Sequence, residues 1–263
     1  MEQKGSSWDV VEQALGLGQM EEEGLPWALG VVLIEDRVET DASFLLHQLL
    51  KRSLSSNPSN TIIFLAFSHP FSHYDRILRK LGCNLVVHRE NNRLVFLDMR
   101  LLQCPDGDEG KTRESGLVAL YGKIRKTIHA LPDDKKNFVI IMIDDVSLME
   151  VAANGSLDHI LDFLHYCHTL TAEFKCSLVM LNHEDIYSNM ERPTFILDME
   201  YLADVLIKAE PLVTGLATDV HGQLMVLTNK ICHGQGSSRN KKHNFHFRVK
   251  ENRVEYFYPG SRT

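Results

Sequence analysis

Apolar residues recur along this chain in two rhythms. Short unbroken runs (Leu29 to Ile34, Thr61 to Phe67, Phe138 to Ile143, Ser177 to Leu181) alternate with stretches in which large aliphatic residues return every third or fourth position. The unbroken runs are short and rich in branched side chains, the pattern of strands buried on both faces of a parallel sheet. The spaced stretches predict helices. One starts at Ala42, capped by Asp41, with Leu45, Leu46, Leu49 and Leu50 inward. A second is capped by Ser72, carries Tyr74, Ile77, Leu78 and Leu81, and stops at Gly82, where a left-handed residue is wanted. A third carries Leu117, Leu120, Tyr121, Ile124, Ile128 and Leu131, and a fourth, from Ser156, turns Leu157, Ile160, Leu161 and Leu164 inward.

The pattern changes towards the C-terminus. Strands are predicted at 203–208, 223–228, 244–250 and 253–258 without helices between them, the last two joined as a hairpin at Glu251-Asn252. Leu85 to His88 and Leu94 to Asp98 read as short strands around Asn91-Asn92, residues 104–113 as a surface loop, and Asn182 to Leu197, polar and interrupted by Pro193, as a long loop. Strands alternating with helices and then strands alone predict an α/β fold. It is a RecA-like domain: a central, mostly parallel sheet flanked by helices, with a C-terminal antiparallel strand meander. One such domain covers residues 26–263, and residues 1–25 form a loosely ordered lead-in with room for a short helix.

Candidate chemistry gathers at the strand ends. The run from Phe138 stops at Asp144-Asp145, where nucleotidases of this architecture keep a magnesium-binding carboxylate. A phosphate-binding loop of the form G-x-x-x-x-G-K-[ST] should then follow the first strand. Residues 35–43 instead hold Glu35, Asp36, Glu39 and Asp41 against Arg37, with no glycine and no lysine. Backbone amides cannot converge closely there, and the carboxylates repel a triphosphate. The preferred reading of Asp144-Asp145 is therefore structural, with one carboxylate capping the next turn. His165 and His168 stand three apart on a helix but have no third ligand at suitable spacing. Ser68, His69, Ser72, His73 and Asp75 include the residue types of a catalytic triad, yet no nucleophile elbow is present and neighbouring helix positions diverge. That loop lies at the carboxyl edge of the sheet, where partners bind, so His69, Phe71, His73 and Tyr74 are candidates for a subunit interface. Residues 234–243 form a glycine-bearing basic link whose Arg239, Lys241 and Lys242 are candidates for contact with nucleic-acid phosphates.

Composition narrows the classes. The net charge of −7 over 263 residues argues against wrapping nucleic acid over a wide face, and leaves room for a local basic patch. Five scattered cysteines without a C-x-x-C spacing suggest neither a disulfide framework nor a zinc ribbon, which fits the cytosol or nucleus. No signal-like apolar stretch opens the chain, and no run approaches the roughly 20 residues of a membrane helix.

Several blocks are similar to the Elongator complex protein 6 family. They are Phe71-Ser72-His73-Tyr74, Lys80-Leu81-Gly82, Leu94-Val95-Phe96-Leu97, the segment Leu161 to Cys167 and the segment Thr214 to Leu224. The similarity runs in order from about residue 29 to the C-terminus. The resemblance implies a RecA-like subunit without nucleotide motifs and without a resident cofactor or metal. It implies a hetero-hexameric ring with two sister subunits, Elongator proteins 4 and 5, as part of the whole Elongator complex. That ring binds tRNA and supports modification of the wobble uridine, with the base chemistry done in another subunit. No catalytic residue carries over. Two rival readings stand beside it: a RecA-like ATPase with an atypical phosphate loop, and a stand-alone nucleic-acid-binding module.

Overall fold

The computed structural model describes residues 8–15, 30–100, 115–136, 138–153, 155–187, 194–215, 217–228, 241–251 and 253–260. Its centre is a nine-stranded sheet in the order β3-β2-β4-β5-β1-β6-β7-β8-β9. β1 is Val31–Asp36, β2 Thr61–Ala66, β3 Leu94–Asp98, β4 Val139–Ile143 and β5 Ser177–His183. β6 is Val205–Glu210, β7 Gly222–Thr228, β8 Lys241–Lys250 and β9 Arg253–Phe257. From β3 across to β6 the neighbours run parallel; β7, β8 and β9 follow as an antiparallel meander. β1, β2 and β4 are buried along their whole length, whereas β7 alternates buried and half-buried residues, as expected of strands covered on both faces and on one.

Helices cover both faces of the parallel part. On one side α1 (Asp9–Leu15), α2 (Ser43–Ser56), α3 (Phe71–Lys80) and α4 (Leu85–Glu90) pack on Ile34, Phe64, Met142 and Val179, and the same core continues to Phe245, Phe247 and Tyr256 of the meander. On the other side α5 (Ser115–His129), α7 (Met149–Ala152), α8 (Leu157–Phe174) and α9 (Thr194–Leu202) bury Leu33, Ile63, Ile141 and Met180; the short α6 (Asp133–Lys136) precedes β4.

Several predicted boundaries move. Residues 85–88 are helical, not extended. The Asn84 side chain accepts from the Val86 amide and so caps α4, and only Leu85 of that run has a core to fill. β3 then pairs with β2 in parallel, not with residues 85–88 in a hairpin. The long loop at 182–197 also breaks up. β5 continues to His183, residues 184–187 form a 3-10 turn, and α9 begins straight after Pro193. A proline just ahead of a helix does not interrupt it, and Phe195, Ile196 and Met199 supply the buried face. α3 starts at Phe71 with Pro70 as its N-cap, so Ser72 is not the cap. α1 is docked: Val11, Ala14 and Leu15 are buried, Trp8 lies 5.6 Å from the Tyr256 ring, and Glu12 meets Arg52 at 2.8 Å. β8 starts at Lys241, three residues before the expected position, because Lys241 and Lys242 pair with Thr228 and Leu227.

A candidate site at the carboxyl end of the parallel strands

β1 carries its polar end inside the sheet. Glu35 and Asp36, expected in a loop, are both buried and lie in register with Asn182 and His183 of β5. Asp36 reaches forward, and its Oδ2 accepts from the Ala42 amide at 2.6 Å where α2 begins. Asp41 Oδ1 accepts from the Ser43 amide at 2.9 Å. The first amides of a helix attract anions, since their N–H groups lack partners within the helix. Here two carboxylates of the chain itself take the Ala42 and Ser43 amides. α2 begins at Ser43 with Ala42 as its N-cap, so Asp41 is not the cap expected of it.

Asp36 also turns sideways. Its Oδ1 lies 2.5 Å from His183 Nδ1, and His183 Nε2 lies 3.4 Å from Asp145 Oδ2. Hydrogen bonds to Asp145 and Asp36 push the imidazole pKa up to about 10, against the opposing effect of burial. A protonated His183 thus bridges the ends of β1 and β4. Asp145 Oδ1 accepts from Ser147 Oγ at 2.5 Å and from the Leu148 amide at 3.0 Å, the turn-capping role read from the sequence. Asp144 points to the other side. It accepts from the Phe67 amide at 2.7 Å, the Ser68 amide at 3.0 Å and the Tyr74 hydroxyl at 2.5 Å. Burial raises its pKa and pushes that of Tyr74 upward, so the two share a hydrogen bond without ionising Tyr74. Among the described residues, no group of three or more His, Cys, Asp or Glu is arranged to hold a metal.

A second cluster lies under the other sheet face. Lys208 Nζ stands 2.8 Å from Glu35 Oε2, an ion pair at the end of β1. It also hydrogen-bonds Glu200 of α9 and lies 4.0 Å from Glu184, which in turn meets Arg37 at 3.2 Å. Burial raises the Glu35 pKa to about 7, with Lys208 pulling the other way. Thr40 Oγ1 donates to the Ala209 carbonyl at 2.8 Å, and the Val38 amide to Asp185 at 3.1 Å. The segment after β1 is therefore laced to β6 and to the turn after β5: His183 matches Asp36, Lys208 matches Glu35, and Arg37 of the segment meets Glu184. His183, Lys208 and Glu200 went unnoticed in the sequence. The one available signal was a histidine directly after a buried strand, and the apolar run had stopped at Leu181.

The residues singled out beforehand separate. His69 and His73 stack, with ring centroids 4.0 Å apart, at the end of β2 and the start of α3, and Ser68 Oγ lies 2.8 Å from His69 Nδ1. Phe71 is half-buried under the Arg89 guanidinium, 5.3 Å from the ring centre. Tyr74 is in the core and presents nothing to a partner. Lys241 and Lys242 are exposed at the start of β8, and Arg239 lies outside the described residues. His165 is exposed and His168 half-buried on α8.

A parallel sheet in this strand order, flanked by helices and prolonged by a meander, is a RecA-like domain. The same architecture occurs in a KaiC-like protein of the archaeon Pyrococcus horikoshii, with a TM-score of 0.59 over 92% of this chain and 95% of that one; at 12% identity the likeness concerns the fold alone. The profile of the family described as Elongation complex protein 6 matches residues 28–251. The chain belongs to that family. It is 28% identical over 236 residues to Elongator complex protein 6 of Xenopus laevis, covering 84% of this chain and 87% of the relative. The human protein of that name is 27% identical, with 84% and 88% covered, and the Dictyostelium discoideum one 22%, with 88% and 91% covered. Among the described residues no helix is long and apolar enough to cross a membrane.

Proposed function

We propose that this chain is a non-catalytic RecA-like subunit of the Elongator complex. In this reading it forms a hetero-hexameric ring with Elongator proteins 4 and 5, and the ring binds tRNA and supports wobble-uridine modification in the cytoplasm and nucleus. Residues 26–263 act as one RecA-like unit. The observation that carries the non-catalytic part is at the start of α2: Asp36 and Asp41 occupy the Ala42 and Ser43 amides, where a phosphate loop would turn its amides to a nucleotide. An ATPase with an atypical phosphate loop would have to displace both. His69, Phe71 and His73 at the carboxyl edge are proposed as subunit contacts, and Arg239, Lys241 and Lys242 as phosphate contacts.

The test is light scattering of the purified chain, alone and co-expressed with Elongator proteins 4 and 5. A defined assembly near twice the summed mass of the three subunits is expected. A monodisperse monomer that ignores both partners would reject the ring.

A further inference from the structure

α5 and α8 lie side by side on one sheet face, and their outer surfaces leave a cleft of about 470 Å³ between them. Leu117 and Tyr121 of α5, Phe163 and Tyr166 of α8 and Ala153 after α7 line it. The two tyrosine rings pack against each other with centroids 5.5 Å apart, tilted by 41°. Val118 at its edge is 65% exposed and Tyr166 is 53% exposed. Apolar surface gathered in a concave place, rather than scattered singly, marks an interaction site.

The cleft is selective in charge. Asp162 lines it, one helical turn before Tyr166 on the same face of α8, and Asp158 follows the same face one turn further back. Both are exposed, His159 lines the cleft beside them, and no lysine or arginine does. An acidic segment docking here would meet two carboxylates against a single imidazole. A long cationic side chain would place its aliphatic stem on the apolar wall and its charge at the rim.

We propose that this cleft receives an arginine or lysine side chain from an apolar segment of a partner protein. The stem packs on Leu117, Val118 and Phe163. The cation meets the Asp162 carboxylate and the exposed Tyr166 ring, where cation–π attraction adds to charge pairing.

The test uses the full chain, methyl-labelled at leucine, valine and alanine, and two synthetic probes, acetyl-Leu-Arg-Leu-Leu-amide and acetyl-Leu-Glu-Leu-Leu-amide. Saturable NMR shifts at the Leu117, Val118 and Ala153 methyls are expected with the arginine probe, at an affinity about tenfold above the glutamate probe. Asp162→Lys should reverse the preference, and Tyr166→Ala should weaken the arginine probe alone. Both positions are exposed, so the variants keep their fold. Equal affinities, shifts elsewhere, no saturable shift, or a preference that survives Asp162→Lys would each overturn the proposal. The lone chain is used, so such a failure leaves the ring assembly standing.

Discussion

His183 is the residue on which the strand ends turn. Its folded pKa of about 10 lies above the 6.5 of a free imidazole, so the folded chain holds a proton that the unfolded chain releases between those values. Its contribution to stability is complete below pH 6.5 and is lost as pH rises through 10. His47 acts in the opposite sense. Burial, with His73 second, lowers it to about 4, so its contribution is present above 6.5 and lost as pH falls through 4. His183→Gln should lower stability at pH 7 and flatten its decline between pH 7 and 10, measured by urea unfolding. A slope equal to that of the parent chain would mean that another group titrates. Tyr74→Phe addresses the second network. It leaves buried Asp144 with one acceptor interaction fewer and should cost about 1–3 kcal/mol in the same measurement. No loss would show that water replaces the hydroxyl.

At the scale of elements, packing and capping decide what propensity leaves open. Residues 85–88 are suited to a strand, and are helical with Asn84 capping them and Leu85 buried against the core. Gly30 shows the same control by neighbours. Its φ is +64°, and a Cβ there would stand 2.0 Å from Asp204 Oδ2, the acceptor of the Val31 amide at 2.8 Å; the strand can begin only after a glycine. α1 is too short to persist alone, so its helicity depends on docking to the meander. Leu15→Ala deletes a buried side chain of that contact and should destabilise the fold by about 2–5 kcal/mol. An unchanged urea midpoint would mean that α1 is not docked in solution.

For the whole molecule, charge is distributed unevenly. The chain carries −7, and β8 nevertheless opens with exposed Lys241 and Lys242 directly after the basic link. Strand pairing with β7 fixes where those two lysines stand. In the ring proposed above, charge reversal at Arg239, Lys241 and Lys242 should weaken tRNA binding and flatten its salt dependence, since each lost phosphate contact removes released counterions. Unchanged affinity and an unchanged salt slope would remove these residues from the interface.

Much of this protein is legible in the order of its residues. Unbroken apolar runs encode strands buried on two faces, threefold and fourfold spacing encodes the helices, and the helix-free tail encodes the meander. Residues 35–43 hold neither glycine nor lysine, which the order of residues shows directly. These are local properties, because solvent exclusion acts on side chains at fixed intervals along one element. The tertiary structure alone decided where the freed polar groups go. His183 stands 147 positions from Asp36, and Lys208 is more remote still from the Glu35 it pairs with. Strand order makes them neighbours, and burial makes pairing obligatory, since an uncompensated carboxylate inside the sheet would cost more than the fold could offset.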